Sequence, residues 1–319
     1  MERVNIDLLA RIASMYYEED MTQAHIARET GYSRSMISRY LKEAKRLGIV
    51  EIRVRHPLAR CSNLEKRLRE YFELRHVRVL ARSLDDYQRT LSNVGALAAQ
   101  LVEELVADDA VIGMSWGTGL AEMVRACRPQ YRKGLTVVQM IGAVGASNPA
   151  IDGAELAREL ARKFGGSYTT LPAPLFVESE AMCQALKRSR QVQDVFDLAS
   201  LMDMALVGVG TIEQEFASLV RSGYLTPSQL REFAKAGAVG DVCTLHFDID
   251  GRLIDIPLQR RLVTIDPETL RKTPIRLGIA AGRAKAKPIL GALRAGLINA
   301  LVTDEIAASL VLQFIERDH

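Results

Sequence analysis

The sequence predicts an α/β protein in two parts: a small helical module at the front and, behind it, a Rossmann-like, mostly parallel sheet. Three observations carry this prediction. From His76 onward, short apolar runs alternate with helical segments, the pattern of a parallel sheet covered by helices on both faces. Before residue 50, three short amphipathic stretches follow one another with helix-capping residues between them. At 319 residues the chain exceeds one small domain.

The elements of the front module come first. In IDLLARIASMYYEED, Ile6, Leu9, Ile12, Ala13 and Tyr16 recur at three- and four-residue spacing and predict an amphipathic helix. Thr22 stands as an N-cap before QAHIARET, where Ala24, Ile26 and Ala27 supply small and apolar packing groups. Gly31 closes that helix where a positive φ is needed. Ser33 caps RSMISRYLKEAKRLG, whose expected buried stripe is Met36, Ile37, Tyr40, Leu41, Ala44 and Leu47. Two short helices joined through a glycine turn, the second polar and basic at its start, make a helix-turn-helix. IVEIRVRH then alternates apolar and charged residues and predicts a short strand or wing, with Arg53 and Arg55 on one face.

Charge is concentrated in the same place. From Arg28 to Arg55, eight bases (Arg28, Arg34, Arg39, Lys42, Lys45, Arg46, Arg53, Arg55) stand against three acids (Glu29, Glu43, Glu51). That local excess of five exceeds the net +3 of the whole chain, the electrostatic footprint of a module that meets nucleic acid. Only the early exposed face of the second helix fits the major groove of double-stranded DNA. It assigns Arg34, Ser35, Ser38 and Arg39 to base edges and nearby phosphates, with Ser33 at the helix start and Lys42 toward the backbone. Thr22 and Gln23 open the preceding helix and offer donors to phosphate.

The expected domains are residues 1–57, a linker helix at 58–75, and a ligand-binding and oligomerisation domain at 76–319. In the linker, LARCSNLEKRLREYFELR, Leu64, Leu68 and Tyr71 or Phe72 share a face, which fits either a short dimerisation coil or a helix packed on its own domain. Behind it HVRVL, AVIGMS, LTVVQMIG, MALVGVG, IRLGIA and ALVT read as strands. Four glycine-rich turns fall at strand ends: SWGTG (115–119), IGAVG (141–145), GVGT (208–211) and AAGRAKAK (280–287). Glycine lets the backbone approach a ligand there, and a helix N-terminus directs N–H groups at an anion. Ser115 and Thr118 add hydroxyl donors, and Arg283 and Lys285 add charge.

Several classes of function are poorly supported. There is no GxxxxGK[ST] loop and no GxGxxG in a strand–turn–helix setting, so neither nucleotide hydrolysis nor a dinucleotide cofactor is expected. Cys61, Cys127, Cys183 and Cys243 are scattered without metal-ligand spacing; they read as reduced thiols of a cytoplasmic protein, with no metal site. No apolar run reaches eighteen residues, so no membrane span is expected.

At this point the chain resembles the SorC family of bacterial transcriptional regulators, nearly end to end. The carriers are MTQAHIARETGYSRSMISRYLKEAKRLGIVEI, VIGMSWGTGL, RSGYLT, GAVGDVCTLHFDIDG and IRLGIAAGRAKAKPILGALRAGLINALVTDEIAASLV. The resemblance implies a DNA-binding front and an effector domain similar to the sugar-phosphate isomerase and deaminase fold. It also implies a sugar or phosphorylated sugar as effector, and assembly as a homotetramer or dimer. Carried over by motif, the effector residues are Ser115, Gly117, Thr118 and Gly119, then Gln139 and Gly142, Asp241 and Lys285. At Gly119 the sequence departs from relatives that often carry a second hydroxyl residue, so the loop offers one donor fewer. Trp116, the only tryptophan, either stacks on the sugar or covers the sheet end.

The alternative is a sugar-phosphate enzyme fused to a DNA-binding module, since the implied fold also hosts isomerases. Proton transfer between carbons needs a placed carboxylate, histidine or lysine. Asp248 and Asp250 read as a hairpin tip, Asp304 and Glu305 as a helix start, and His246 as a structural residue; Asp241 is the best candidate base, and hydroxyl binding explains it equally well. No catalytic residues are assigned, and a regulator is the expected function.

Overall fold

The computed structural model describes residues 5–50, 58–81, 86–143, 151–223 and 225–317. The chain divides into two compact units, Met1–Pro57 and Leu58–His319.

The first unit contains helices α1 (Ile6–Tyr17), α2 (Gln23–Thr30) and α3 (Arg34–Arg46). Their starts are set by side chains that satisfy otherwise unpaired N–H groups. Asn5 accepts from the Leu8 N–H at 3.1 Å, Thr22 from His25 and Ser33 from Met36, each at 3.2 Å. Gly31 ends α2 with a φ of 75°. The core is Leu9, Ile12, Ala13, Met15, Ile26, Ile37, Leu41 and Ala44. The expected apolar stripes extend beyond it. Ile6 and Leu47 are exposed (62% and 42%), because they sit at the outer ends of α1 and α3, past the helix crossing. Ala24 is exposed, and Met36 and Tyr40 are half-buried. The expected wing lies, from residue 51 on, outside the described residues, with Arg53 and Arg55.

In the second unit α4 (Ser62–Phe72) leads into β1 (His76–Leu80). Buried Glu65 ties the two together. It accepts two hydrogen bonds from Arg60, at 2.8 and 2.7 Å, and one from the Val79 N–H at 2.9 Å. Then follow α5 (Tyr87–Leu105), β2 (Val111–Met114), α6 (Thr118–Ala126), β3 (Thr136–Gln139), α7 (Gly153–Phe164) and β4 (Ser167–Thr169). After α8 (Glu180–Lys187) and α9 (Arg190–Ala199) come β5 (Met204–Gly208), α10 (Ser218–Arg221) and α11 (Pro227–Lys235). A hairpin of β6 (Gly240–Val242) and β7 (Leu245–Phe247) precedes α12 (Pro267–Lys272), β8 (Ile275–Ile279), α13 (Ala286–Arg294), β9 (Ala300–Asp304) and α14 (Glu305–Arg317). The linker segment's helix, α4, packs against β1 and α14.

Seven strands pair in parallel in the order β1-β9-β8-β5-β2-β3-β4. Alternation along each strand divides its side chains between two cores. On β5, Met204 and Leu206 join α5, α6 and α7 on one face, while Ala205 and Val207 join the larger cluster on the other. Burial on both faces explains why these strands read as continuous apolar runs. The chain leaves β2 toward β3 and β4, then returns to place β5 on the opposite side of β2. Between β2 and β5 the connections diverge, which opens a crevice at the strands' carboxyl ends.

Candidate functional site

A solvent-open cavity lies at that crevice. The β2–α6 turn supplies Ser115 to Gly119, the end of β5 supplies Gly208 to Thr211, and the end of β8 supplies Ile279 to Ala281. The hairpin contributes Asp241, Cys243 and His246, and Lys285 completes the wall. Of the effector residues expected from sequence, Ser115, Trp116, Gly117, Thr118, Gly119, Asp241 and Lys285 come together here. Gln139 and Gly142 are not in the lining. Gln139 is fully buried, and its Oε1 accepts from the Leu171 N–H at 3.0 Å. Gly142 packs on backbone, where a Cβ would lie 2.5 Å from the Pro174 carbonyl. Both belong to the β3 end, one strand away from the crevice.

Local geometry explains the glycines. Gly117 has a φ of 120° and precedes α6, which no side chain caps. The first N–H groups of α6 therefore face the cavity end of the helix without a side-chain acceptor, the arrangement that attracts an anion. At Gly210 a Cβ would lie 1.8 Å from Asp241 Oδ1, so only glycine lets that carboxylate sit where it does. Asp241 Oδ2 accepts from the Thr244 N–H at 3.1 Å. Trp116 both lines the cavity and, at 6% exposed, belongs to the larger core.

The electrostatics centre on Lys285. It is 9% exposed and makes no ion pair or hydrogen bond through its ammonium among the described residues. Burial pulls its pKa down from 10.5 to about 8, opposed by the Asp241 and Glu213 charges and assisted by Arg221. A buried, unpaired cation beside an uncapped helix start is chemically suited to an anionic group. Burial pushes the Cys243 thiol up to about 12, which leaves it a neutral wall.

On the helical unit, Thr22, Ser33, Arg34, Ser35, Arg39 and Lys42 are exposed, and Gln23 and Ser38 half-buried. Arg34, Arg39 and Lys42 form no ion pairs among the described residues, whereas Arg46 is held by Glu43 through bonds of 2.9 and 2.6 Å. Arg34, Arg39 and Lys42 thus place unpaired cations on the early and middle turns of α3.

A family model described as "Putative sugar-binding domain" matches residues 56–313. The transcriptional regulator LsrR of Klebsiella pneumoniae is 31% identical over 96% of this chain and 93% of its own length. The sorbitol operon regulator of the same species is 29% identical over 97% and 98%. The full-length crystal structure of that regulator, SorC, superposes with a TM-score of 0.73, covering 97% of this chain and all of its own. The chain belongs to the SorC family of sugar-binding transcriptional regulators. Like other SorC-family members, it is a sugar-responsive regulator of transcription. The deoxyribonucleoside regulator of Bacillus subtilis is another relative, 29% identical over 97% of this chain.

Sequence reasoning missed part of the cavity of this SorC-family chain. Tyr87, Ser218 and His246 line it without having been expected there. Thr211 also lines it, as part of the GVGT turn that the sequence placed at a strand end. The others come from a helix start, a short helix and a hairpin strand, and no spacing along the chain links them to the strand ends. Among the described residues, no helix is long and apolar enough to cross a membrane.

Proposed function

We propose that the cavity between β2 and β5 binds a sugar or phosphorylated sugar, and that its occupancy controls binding of α3 in the major groove of operator DNA. The observation that carries this reading is the buried, unpaired Lys285 in a cavity at the topological switch point. In this reading Ser115, Gly117, Thr118 and Gly119 hold the anionic end with Lys285, while Asp241 accepts from hydroxyls. Arg34, Ser35, Ser38 and Arg39 face bases, and Thr22, Gln23, Ser33 and Lys42 face the backbone. The protein acts in the cytoplasm as a homodimer or homotetramer, and the effector shifts the population between states that differ in operator affinity.

Binding proceeds without turnover. The relatives are transcriptional regulators, which supports this reading. The Thr244 N–H on Asp241 Oδ2 and Gln259 on His246 Nδ1 hold both side chains in fixed orientations suited to recognition. The test is a fluorescence titration of Trp116 with sugars and sugar phosphates, with and without a DNA duplex selected from a random library by the protein. A saturable change that also alters duplex affinity is expected. Duplex binding indifferent to every compound would refute effector control, and product formation in the same samples, followed by NMR, would refute binding without turnover.

A further inference from the structure

Among the polar groups of the cavity that this reading leaves unused is the imidazole of His246. Asp241 and His246 face each other in the antiparallel register of β6 and β7, so both side chains leave the hairpin on the same face. Their backbone groups bond outward. The Gly210 N–H donates to the Asp241 carbonyl at 2.8 Å, and the Ile254 N–H to the His246 carbonyl at 2.9 Å. That is the closer, non-hydrogen-bonded kind of cross-strand pair, with Cβ atoms about 5 Å apart. Both residues line the cavity.

The surroundings decide which ring nitrogen carries hydrogen. Gln259 Nε2 donates to the Thr244 carbonyl at 3.0 Å, which turns Gln259 Oε1 toward the imidazole. That oxygen lies 2.8 Å from His246 Nδ1 and also accepts from the His246 backbone N–H at 3.4 Å. An amide oxygen only accepts, so Nδ1 bears the hydrogen. The ring stacks on Phe233 at 3.7 Å and 14°, and burial holds its pKa below the ordinary value against the opposing Asp241 charge. The ring is therefore neutral near pH 7, and Nε2 carries a lone pair. No side chain hydrogen-bonds Nε2 among the described residues, and the residue is only 2% exposed and lines the cavity.

We propose that Asp241 and His246 Nε2 form a pair of acceptors that reads two adjacent hydroxyls of the effector. His246 is the specificity-determining member, and Gln259 is a positioning residue that fixes its tautomer. The inference rests on the cavity being the effector site and deepens that reading: the effector class is a sugar or sugar phosphate with a vicinal diol. Removing one hydroxyl leaves an acceptor buried and unpaired, which weakens binding roughly ten- to hundredfold.

The test uses Trp116 fluorescence of the full chain with ribose 5-phosphate, glucose 6-phosphate and ribose, each against its 2-deoxy and 3-deoxy counterparts. Wild type is expected to prefer the hydroxylated member of at least one pair by about tenfold or more. His246→Phe keeps an aromatic ring against Phe233 and removes the acceptor; it should collapse that preference by weakening the hydroxylated ligand alone. Gln259→Met should erode the preference in the same direction. In wild type, ¹⁵N NMR should show an unprotonated His246 Nε2 whose signal moves on saturation, a readout that needs no variant to fold. A preference unchanged in His246→Phe, wild-type binding without preference in any pair, or a protonated Nε2 in the free protein would overturn the proposal. Wild-type silence toward every compound would instead overturn the effector reading of the cavity, and the diol pair with it.

Discussion

Replacing Lys285 by Met keeps the aliphatic stem and deletes a buried charge that has no ion-pair partner. A fall in pKa from 10.5 to about 8 means that the ammonium is disfavoured in the folded state. The sign follows from proton counts. Between these two values the unfolded chain holds more protons at this lysine than the folded one, so stability rises with pH across that window. Below pH 8 both states are protonated and the full cost applies, about 3 kcal/mol; at pH 9.5 it has dropped to about 1 kcal/mol. Lys285→Met should therefore stabilise the ligand-free protein by about 3 kcal/mol at pH 7, with the advantage shrinking to about 1 kcal/mol at pH 9.5. Urea unfolding of both proteins at the two pH values measures the gap. The same variant should lose the stabilisation that a phosphorylated sugar gives wild type, because a charged partner worth about 1.5–3 kcal/mol is gone. Equal stabilities with parallel pH dependence would show that the ammonium is solvated or paired, and would remove the physical basis for calling it an anion site.

Arg39→Ala should weaken operator binding about tenfold and reduce the slope of log affinity against log salt by about one, as read by fluorescence anisotropy at several salt concentrations. Gly210→Ala places a Cβ where Asp241 Oδ1 sits, so effector affinity should fall at least tenfold in the Trp116 titration while the unfolding midpoint moves only modestly. Gly119→Ser should fold normally, since a Cβ there meets Ile279 at an ordinary 3.4 Å. It should tighten a phosphorylated ligand several-fold by restoring a hydroxyl to the turn; an unchanged affinity would place the phosphate away from α6.

The helical unit was legible almost residue by residue, because caps and periodicity are local: Thr22, Gly31 and Ser33 each act on N–H or carbonyl groups within four residues. Where the reading overran, at Ile6 and Leu47, the period continued past the point where the helices cross, and crossing points are set by three-dimensional packing. Six of the seven sheet strands were legible for the same reason, whereas β4, only three residues at the sheet edge and without an apolar run, was not. Nor was the spatial order of the strands, and it is the order, with β5 returning beside β2, that gathers the SWGTG turn, the GVGT turn and Lys285 round one cavity. Gln139 and Gly142 occupy an equivalent strand end by sequence, yet β3 lies on the far side of β2 from β5.

The hairpin shows most clearly why His246 escaped notice. In GDVCTLHFDIDG the visible turn signal is Asp-Gly, and a turn does form there, with Phe247 bridging Leu253 and Gly251 at a φ of 85°. The turn that pairs Asp241 with His246 lies earlier, at Cys243 and Thr244, which take φ values of 51° and 60°. Neither residue favours the left-handed region, and a β-branched threonine disfavours it most, so propensity argues against a turn at this place. Tertiary contacts hold it there. Asp241 Oδ2 takes the Thr244 N–H, Thr264 Oγ1 donates to the Cys243 carbonyl at 2.6 Å, and Gln259 Nε2 donates to the Thr244 carbonyl. Backbone in a costly conformation, clamped here by three side chains, clusters at functional sites. Here it does one identifiable thing: it sets the register that brings an imidazole lone pair beside a carboxylate at the wall of the cavity.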